Sequence, residues 1–330
     1  MYTNKNILIT GGTGSFGNQF VKRISEKFKP KRLIIYSRDE YKQHEMQKKF
    51  NPKKYPYLRF FLGDVRDLSR LEMAFRNVDY VIHAAALKHV PIAEYNPMEF
   101  IKTNIGGAEN VIKASISQKI KKIIALSTDK AANPINLYGA TKFASDKLFI
   151  SANSLVGNQE TKFTVVRYGN VLGSRGSVAP HFKNLINSGH NSLPITHEEM
   201  TRFWITLDQA IDLVTFSFKR MIGGEILVPK LPSIKITDLA KSFKKNVKLK
   251  IIGIRPGEKI HELMCPNEFS HLTYEFKKFF IIVNDRSPRI LKNLSKSYSE
   301  KPKRVNKEFE YSSGTNKKFL SIKEIKKLNF

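Results

Sequence analysis

Apolar residues in the first half of the chain fall into short runs, separated by stretches in which they recur at helical spacing. The runs are KNILIT, RLIIYS, YLRFFLG, VDYVIHAA, KKIIALST and KFTVVRYGNV. Between them, Phe16, Phe20 and Ile24, and later Ala108, Val111 and Ile112, share single helix faces. Short, nearly continuous apolar runs alternating with amphipathic helices predict βαβ units: an α/β, doubly wound parallel sheet with helices on both faces. After about residue 170 the regularity weakens, with RGSVAPHF, HEEMTRFWITLDQA and RPGEKIHEL set between shorter elements. The expected organisation is therefore a dinucleotide-binding part over 1–170 and a smaller, substrate-facing region over 171–285 with segments returning to the first sheet. Residues 286–330 are lysine-rich and lose periodicity, and are expected to form a basic extension that is solvated, partly disordered or an interaction arm.

Bulk properties narrow the class. In 330 residues, 41% are hydrophobic and 26% charged, as in a water-soluble globular protein. No apolar stretch is long enough to span a bilayer, and the N-terminus enters a glycine turn after one short apolar segment, so neither a membrane span nor a secretory signal is expected. Cys265 is the only cysteine, which excludes an internal disulfide and a cysteine-based zinc cluster. It points to a reducing cytoplasm, and no metal site is expected. The net charge of +28 invites a nucleic-acid reading, but the lysines are spread along the chain rather than gathered in a stripe. Nucleic acid is therefore not expected as a partner, and a positive field equally suits anionic nucleotides.

ILITGGTGSFG places Gly11, Gly14 and Gly17 directly after the first strand and at the start of the first helix. Glycines there permit a tight turn, a close approach of backbone to a pyrophosphate, and presentation of helix N-terminal amides to its charge. The first unit is thus read as a Rossmann-like dinucleotide site. At the end of the second strand, in YSRDE, Arg38 stands where an arginine would accommodate a 2′-phosphate, favouring NADP over NAD. Asp39 or Glu40 could instead face the ribose. Asp64 and Val65, after the third strand, suit an adenine edge. Ala84, Ala85 and Ala86 in AAALKH either wall the phosphates or serve helix–sheet packing.

In STDKAANPINLYGATK, Tyr138 and Lys142 are four apart on one expected helix face. A lysine ammonium near a tyrosine would lower its pKa and provide a base for a hydroxyl proton, with Thr128 at the strand end holding the hydroxyl. Asp129 and Lys130 are adjacent at that strand end, either as a plain surface ion pair or as chemistry.

These motifs together resemble the extended short-chain dehydrogenase/reductase superfamily. More narrowly, GGTGSFG, SRDE, AAALKHVP, STDKAANPINLYGATK, RYGNVLGSRGSV, TRFW and RPGEK resemble the inverting UDP-N-acetylglucosamine 4,6-dehydratases, over about residues 5 to 265. The resemblance implies oxidation at carbon 4 of UDP-N-acetylglucosamine, elimination of water across carbons 5 and 6, and return of the hydride to carbon 6. In that scheme Asp129 is the acid for the departing hydroxyl, Lys130 the base for the carbon 5 proton, and Tyr138, Lys142 and Thr128 serve the oxidation. Both Asp129 and Lys130 would then act in their minority protonation states at neutral pH, which burial favours. Cofactor contacts are implied for Thr13, Ser15, Phe16, Ser37, Lys88 and Thr103, beside the residues named above. Substrate contacts are implied for Lys88, Lys130, Asn170, Val178, Arg202, Arg255 and Glu258, with arginine suited to the diphosphate and Glu258 to the ribose hydroxyls. His89 could touch either ligand, whereas His181 and His261 read as structural or solvent-exposed and Trp204 as packing rather than stacking.

The family further implies a homo-oligomer, commonly a hexamer, and a product directed to pseudaminic acid-type sugars of bacterial surfaces or flagella. Tyr138 matches the inverting branch, since retaining relatives carry methionine there. Two alternatives stand beside this reading: a UDP-sugar 4-epimerase of the same fold, which has no clear use for Asp129 and Lys130, and a non-catalytic NADP- or nucleic-acid-binding protein.

Overall fold

The computed structural model describes residues 1–174 and 176–328. Six of the expected runs form parallel strands: β1 (Asn6–Thr10), β2 (Arg32–Ser37), β3 (Leu58–Leu62), β4 (Tyr80–His83), β5 (Lys122–Thr128) and β6 (Lys162–Tyr168). Their spatial order is β3-β2-β1-β4-β5-β6. The order reverses between β1 and β4, so a crevice opens beyond the C-terminal ends of these strands, where ligands bind in doubly wound sheets. Ile7, Leu8, Ile9, Ile34, Ile35, Ile123 and Ile124 have no measurable exposure, because helices cover both faces of the sheet.

The connecting helices are α1 (Ser15–Lys27), α2 (Glu40–Lys49), α3 (Leu68–Phe75), α4 (Val90–Tyr95), α5 (Pro97–Phe100), α6 (Gly107–Ser117) and α7 (Leu137–Ser151). On α1 the stripe Gly17, Phe20, Val21 and Ile24 is buried, whereas Lys22 between them is exposed. Between α5 and α6 the chain makes a π-helical turn at Ile101–Gly106 that buries Thr103 and Asn104, a distortion often found at functional sites.

The last expected strand breaks in two. A Cβ on Gly169 would come within 2.4 Å of the Phe203 side chain, and after this close approach Asn170–Val171 pairs with Trp204–Ile205 in a separate three-stranded sheet. Strand Glu225–Pro229 returns to the main sheet parallel to β6, followed by the antiparallel strands Phe279–Val283, Thr273–Glu275 and Lys303–Arg304. A second apolar cluster joins Phe182, Leu193, Trp204, Ile234 and Leu239, so Trp204 packs.

The basic tail differs from the expectation of a solvated or partly disordered extension. Helix Pro288–Tyr298 buries Leu294 and Tyr298, the latter ring lying 5.3 Å from that of Phe279. Farther on, Tyr311–Ser312 pairs with Leu263–Cys265, and Ile325 is fully buried in the second cluster. Few but well-spaced apolar residues anchor a segment whose average composition is polar. Residues 329 and 330 of that tail, and Arg175 of the RGSV motif, lie outside the described residues.

Candidate active site

The crevice at the strand ends is a cavity of about 710 Å³, within the range of small-molecule sites. Its floor is the glycine turn. Gly11 has φ +65°, and a Cβ there would lie 2.8 Å from the Ala85 backbone, so only glycine fits between β1 and the loop after β4. Gly14 begins α1 with no side-chain cap, which leaves the helix N-terminus oriented for an anion. Gly17 is absent from the wall: a Cβ on it would strike the Gly12 carbonyl at 2.0 Å, so its role is to let α1 pack against the turn. Thr13, Ser15 and Phe16 line the same floor.

Ser37, Arg38, Asp64 and Val65 form the far end. Asp39 accepts the Lys42 amide as the N-cap of α2 and pairs with the Lys42 ammonium, an assignment that occupies it locally. The guanidinium of Arg38 stands 3.6 Å from Asp64. Asp64 titrates below the usual carboxylate range: burial opposes this, but hydrogen bonds from the Arg66 side chain and amide prevail. Ala84, Ala85, Ala86 and Lys88 line the cavity, and the loop that carries them is clamped by Asn104. The Asn104 carbonyl accepts the Leu87 amide at 2.9 Å, while its amide donates to Leu87 O and Thr141 Oγ1, each at 3.0 Å. Thr103, one residue earlier, faces the cavity with a buried Oγ1 that has no partner among the described residues. Sequence reasoning missed Asn104; a polar pair before two glycines was its only signal.

The opening of α7 is built against the strand end that carries Asp129 and Lys130. Asn136 caps the helix by accepting the Gly139 amide at 2.7 Å and donates to Gly257 O at 2.7 Å. A Cβ on Gly139 would lie 2.3 Å from the Lys130 carbonyl, so this glycine permits the helix to touch the turn. Tyr138, Lys142, Thr128, Asp129 and Lys130 thereby reach one wall. Thr128 donates to Asp129 Oδ1 at 3.0 Å and is hydrogen-bonded to Tyr138.

The electrostatics depart from expectation in two places. Burial pushes the Tyr138 phenol up to about 12, opposed by the charge of Lys130 and the bond to Thr128. Lys142, expected to lower it, instead donates to Leu126 O at 2.8 Å, and burial lowers its own pKa. Lys130 departs from the neutral amine that burial alone would give. Burial does act that way, but the carboxylates of Asp129 and Glu262, each 3.1 Å from its Nζ, outweigh it and hold the ammonium. Asp129 follows the expectation: burial raises its pKa, and the nearby Glu262 adds to this against the pull of Lys130. Its Oδ2 is buried without a partner among the described residues.

Glu262 was not among the residues singled out, although it is the next-to-last residue of the RPGEKIHEL motif. Arg202, expected at the diphosphate, is also elsewhere. It is 6% exposed, donates to Thr201 O and Ile260 O, and lies 3.8 Å from Glu262, off the cavity wall. Val178 too is off the wall, at the start of helix Val178–Asn187. Asn170, Arg255 and Glu258 do line the mouth. Asn170 Oδ1 and Glu258 Oε2 are buried without partners among the described residues, and Arg255 pairs with the other Glu258 oxygen. His261 is structural, bonded to Thr201 Oγ1 at 2.8 Å, while His181 is exposed.

A glycine cradle, orphaned acceptors along the crevice and a buried acid paired with a partly exposed amine on one wall fit a nicotinamide dinucleotide and a second polar ligand. The sequence comparisons agree. A profile described as polysaccharide biosynthesis protein matches residues 7–284. A Campylobacter jejuni protein named UDP-N-acetylglucosamine 4,6-dehydratase (inverting) is 57% identical, over 98% of this chain and 97% of its own. A Rickettsia akari protein named UDP-glucose 4-epimerase is 42% identical over 99% of this chain and 96% of its own. Among solved structures, Pen from Bacillus thuringiensis superposes with a TM-score of 0.88 at 38% identity, covering 99% of this chain and 98% of that one. The chain belongs to the polysaccharide biosynthesis protein family of the extended short-chain dehydrogenase/reductases, among its 4,6-dehydratase-type enzymes.

Proposed function

We propose that this chain is an NADP-dependent, inverting UDP-N-acetylglucosamine 4,6-dehydratase. The observation that carries the reading is the Asp129–Lys130 pair on the same wall as Thr128 and Tyr138, with the buried carboxylate of Glu262 behind it on Lys130. An enzyme that only removes and returns hydrogen at carbon 4 needs the hydroxyl and phenol; one that also eliminates water needs an acid and a base besides.

When bound, NADP would supply a hydride acceptor for carbon 4, a donor for carbon 6 and, in its oxidised form, a positive charge. Gly11, Thr13, Gly14, Ser15 and Thr103 are the groups that would hold it, and Arg38 the group for a 2′-phosphate. Thr128 and Tyr138 take the carbon 4 hydroxyl. Tyr138 acts as the phenolate, a form that the positive charge of the oxidised nicotinamide would favour over the phenol stabilised by burial, and its oxygen receives the hydroxyl proton. A carbonyl at carbon 4 then acidifies the hydrogen at carbon 5. Lys130 Nζ accepts that proton while Asp129 gives one to the departing carbon 6 hydroxyl, which leaves as water. The step begins with neutral amine and carboxylic acid and ends with ammonium and carboxylate. That end state is the ion pair seen at 3.1 Å, and one proton passing along this contact restores the starting form. When carbon 6 takes the hydride, carbon 5 needs a proton, and the one held by Tyr138 since the oxidation is available for it, which returns the phenolate. The raised pKa of Asp129 suits the acid role. Arg255 at the mouth suits the diphosphate, and the free oxygens of Glu258 and Asn170 suit sugar hydroxyls.

The Rickettsia relative keeps one alternative in play, a UDP-sugar 4-epimerase. Mass spectrometry of UDP-N-acetylglucosamine incubated with protein and NADP separates them. A product lighter by one water is expected, and a product of unchanged mass overturns the dehydratase reading. By family likeness we extend the proposal to a cytoplasmic homo-oligomer, hexameric in the simplest case, whose product feeds pseudaminic acid-type sugars for surface or flagellin glycosylation. No helix among the described residues is long and apolar enough to cross a membrane.

A further inference from the structure

Glu262 is 2% exposed, yet no motif assigned it a task. Its carboxylate is the second one on Lys130, at 3.1 Å, and its backbone is held on both sides by the tail. The Glu262 amide donates to Ser313 Oγ at 2.9 Å, and the Ser313 amide donates to Glu262 O at 2.8 Å. A neutral lysine amine has two N–H bonds and one lone pair. The structure offers that amine two carboxylate acceptors, Asp129 Oδ1 and Glu262 Oε1.

We propose that Glu262 is a positioning residue for the elimination. With Asp129 it engages both N–H bonds of the Lys130 amine, so that the lone pair is the remaining direction, available to the carbon 5 proton. The inference rests on the functional reading above. Arg202, buried at 3.8 Å, keeps Glu262 ionised: burial favours the neutral acid, but the charges of Lys130 and Arg202 overcome it.

The charged and titratable groups facing Lys130 are Asp129 on its own turn, Glu262 before strand Leu263–Cys265, Arg202 on strand Thr201–Ile205 and Tyr138 on α7. Lys259 adds its charge near Glu262 while donating to Ala132 O at 2.8 Å. In this setting the acid limb of a rate profile reports uptake of a second proton by the Asp129–Lys130 pair. The negative charge of Glu262 favours that uptake, so removing the charge moves the limb to lower pH.

The test measures kcat, KM and their pH dependence for dehydration of UDP-N-acetylglucosamine by the wild type, Glu262→Gln and Glu262→Ala. Glutamine retains an oxygen acceptor without the charge. Its acid limb is expected at lower pH, with kcat within about tenfold of wild type. Alanine loses the orientation, and kcat is expected to fall about 100-fold with KM changed by about twofold or less. A Glu262→Ala enzyme with wild-type kcat, or a Glu262→Gln profile that is unshifted or shifted to higher pH, overturns the proposal. Should the alanine variant fail to fold, the glutamine profile decides alone. A wild-type protein that makes no dehydrated sugar refutes the functional reading first, and this inference falls with it.

Discussion

Substituting Asp129→Asn tests the acid–base pair most directly. Asparagine keeps the shape and a carbonyl oxygen for the Thr128 hydroxyl, which now meets Asp129 Oδ1 at 3.0 Å. It removes both the charge and the proton. At 3.1 Å, with an effective dielectric constant of about 20, the carboxylate and ammonium attract by about 5 kcal/mol before solvation costs. Glu262 stands at the same distance and remains, so Lys130 stays charged; but the Glu262 pKa is lowered whereas that of Asp129 is raised, so the carboxylate better suited to take its proton is lost. Acid and base are thus disabled together. A positioned proton donor contributes about 10²- to 10⁴-fold, or about 3–5 kcal/mol of barrier. Dehydration is expected to slow by that factor. Oxidation at carbon 4, served by Thr128 and Tyr138, should continue. A quenched time course read by mass spectrometry, with nicotinamide absorbance followed in parallel, should show reduced cofactor accumulating without dehydrated sugar. Dehydration within about tenfold of the wild-type rate would refute the assignment.

Two further outcomes follow from the same geometry. Arg38→Ala should weaken NADP binding by about 10- to 100-fold while leaving NAD nearly unchanged, since a charged hydrogen-bond donor to a phosphate is lost; calorimetric titration with both dinucleotides checks it, and an unaltered preference counts against a 2′-phosphate site at Arg38. His83 is fully buried, with Nδ1 2.9 Å from Thr10 Oγ1, and burial, aided by the charge of Lys142, lowers its pKa to about 3. Because the unfolded chain takes up this proton first, His83 contributes stability that is complete above pH 6.5 and is lost as pH falls towards 3. Between pH 6.5 and 4.5 that amounts to about 2–3 kcal/mol. Thermal melts of His83→Gln should decline less over this range than those of the wild type, and parallel declines would contradict the assignment.

Much of the fold was legible because it is written in local periodicity. The apolar runs at 6–10, 32–37 and 122–128 need no partner to declare themselves, since both faces of a central parallel strand must be apolar. Gly11 was readable because a left-handed turn after a strand admits little else, and Tyr138 with Lys142 because helical spacing places them on one side of α7. The same reasoning misjudged the tail. Its lysine content hid Leu294, Tyr298, Tyr311 and Ile325, whose burial depends on surfaces supplied by distant segments.

The amino-acid order alone therefore determined the strands, the glycine turn and the placement of Asp129, Lys130 and Tyr138 close to one strand end, because each follows from neighbours within a few residues. Tertiary structure decided their chemistry. Lys130 stays an ammonium against burial because Asp129 beside it is joined by Glu262, which folding brings from far along the chain, with Ser313 of the tail fixing the Glu262 backbone. Protonation in a buried cluster is set by the sum of charges within a few ångströms, and sequence proximity does not reveal which charges those are.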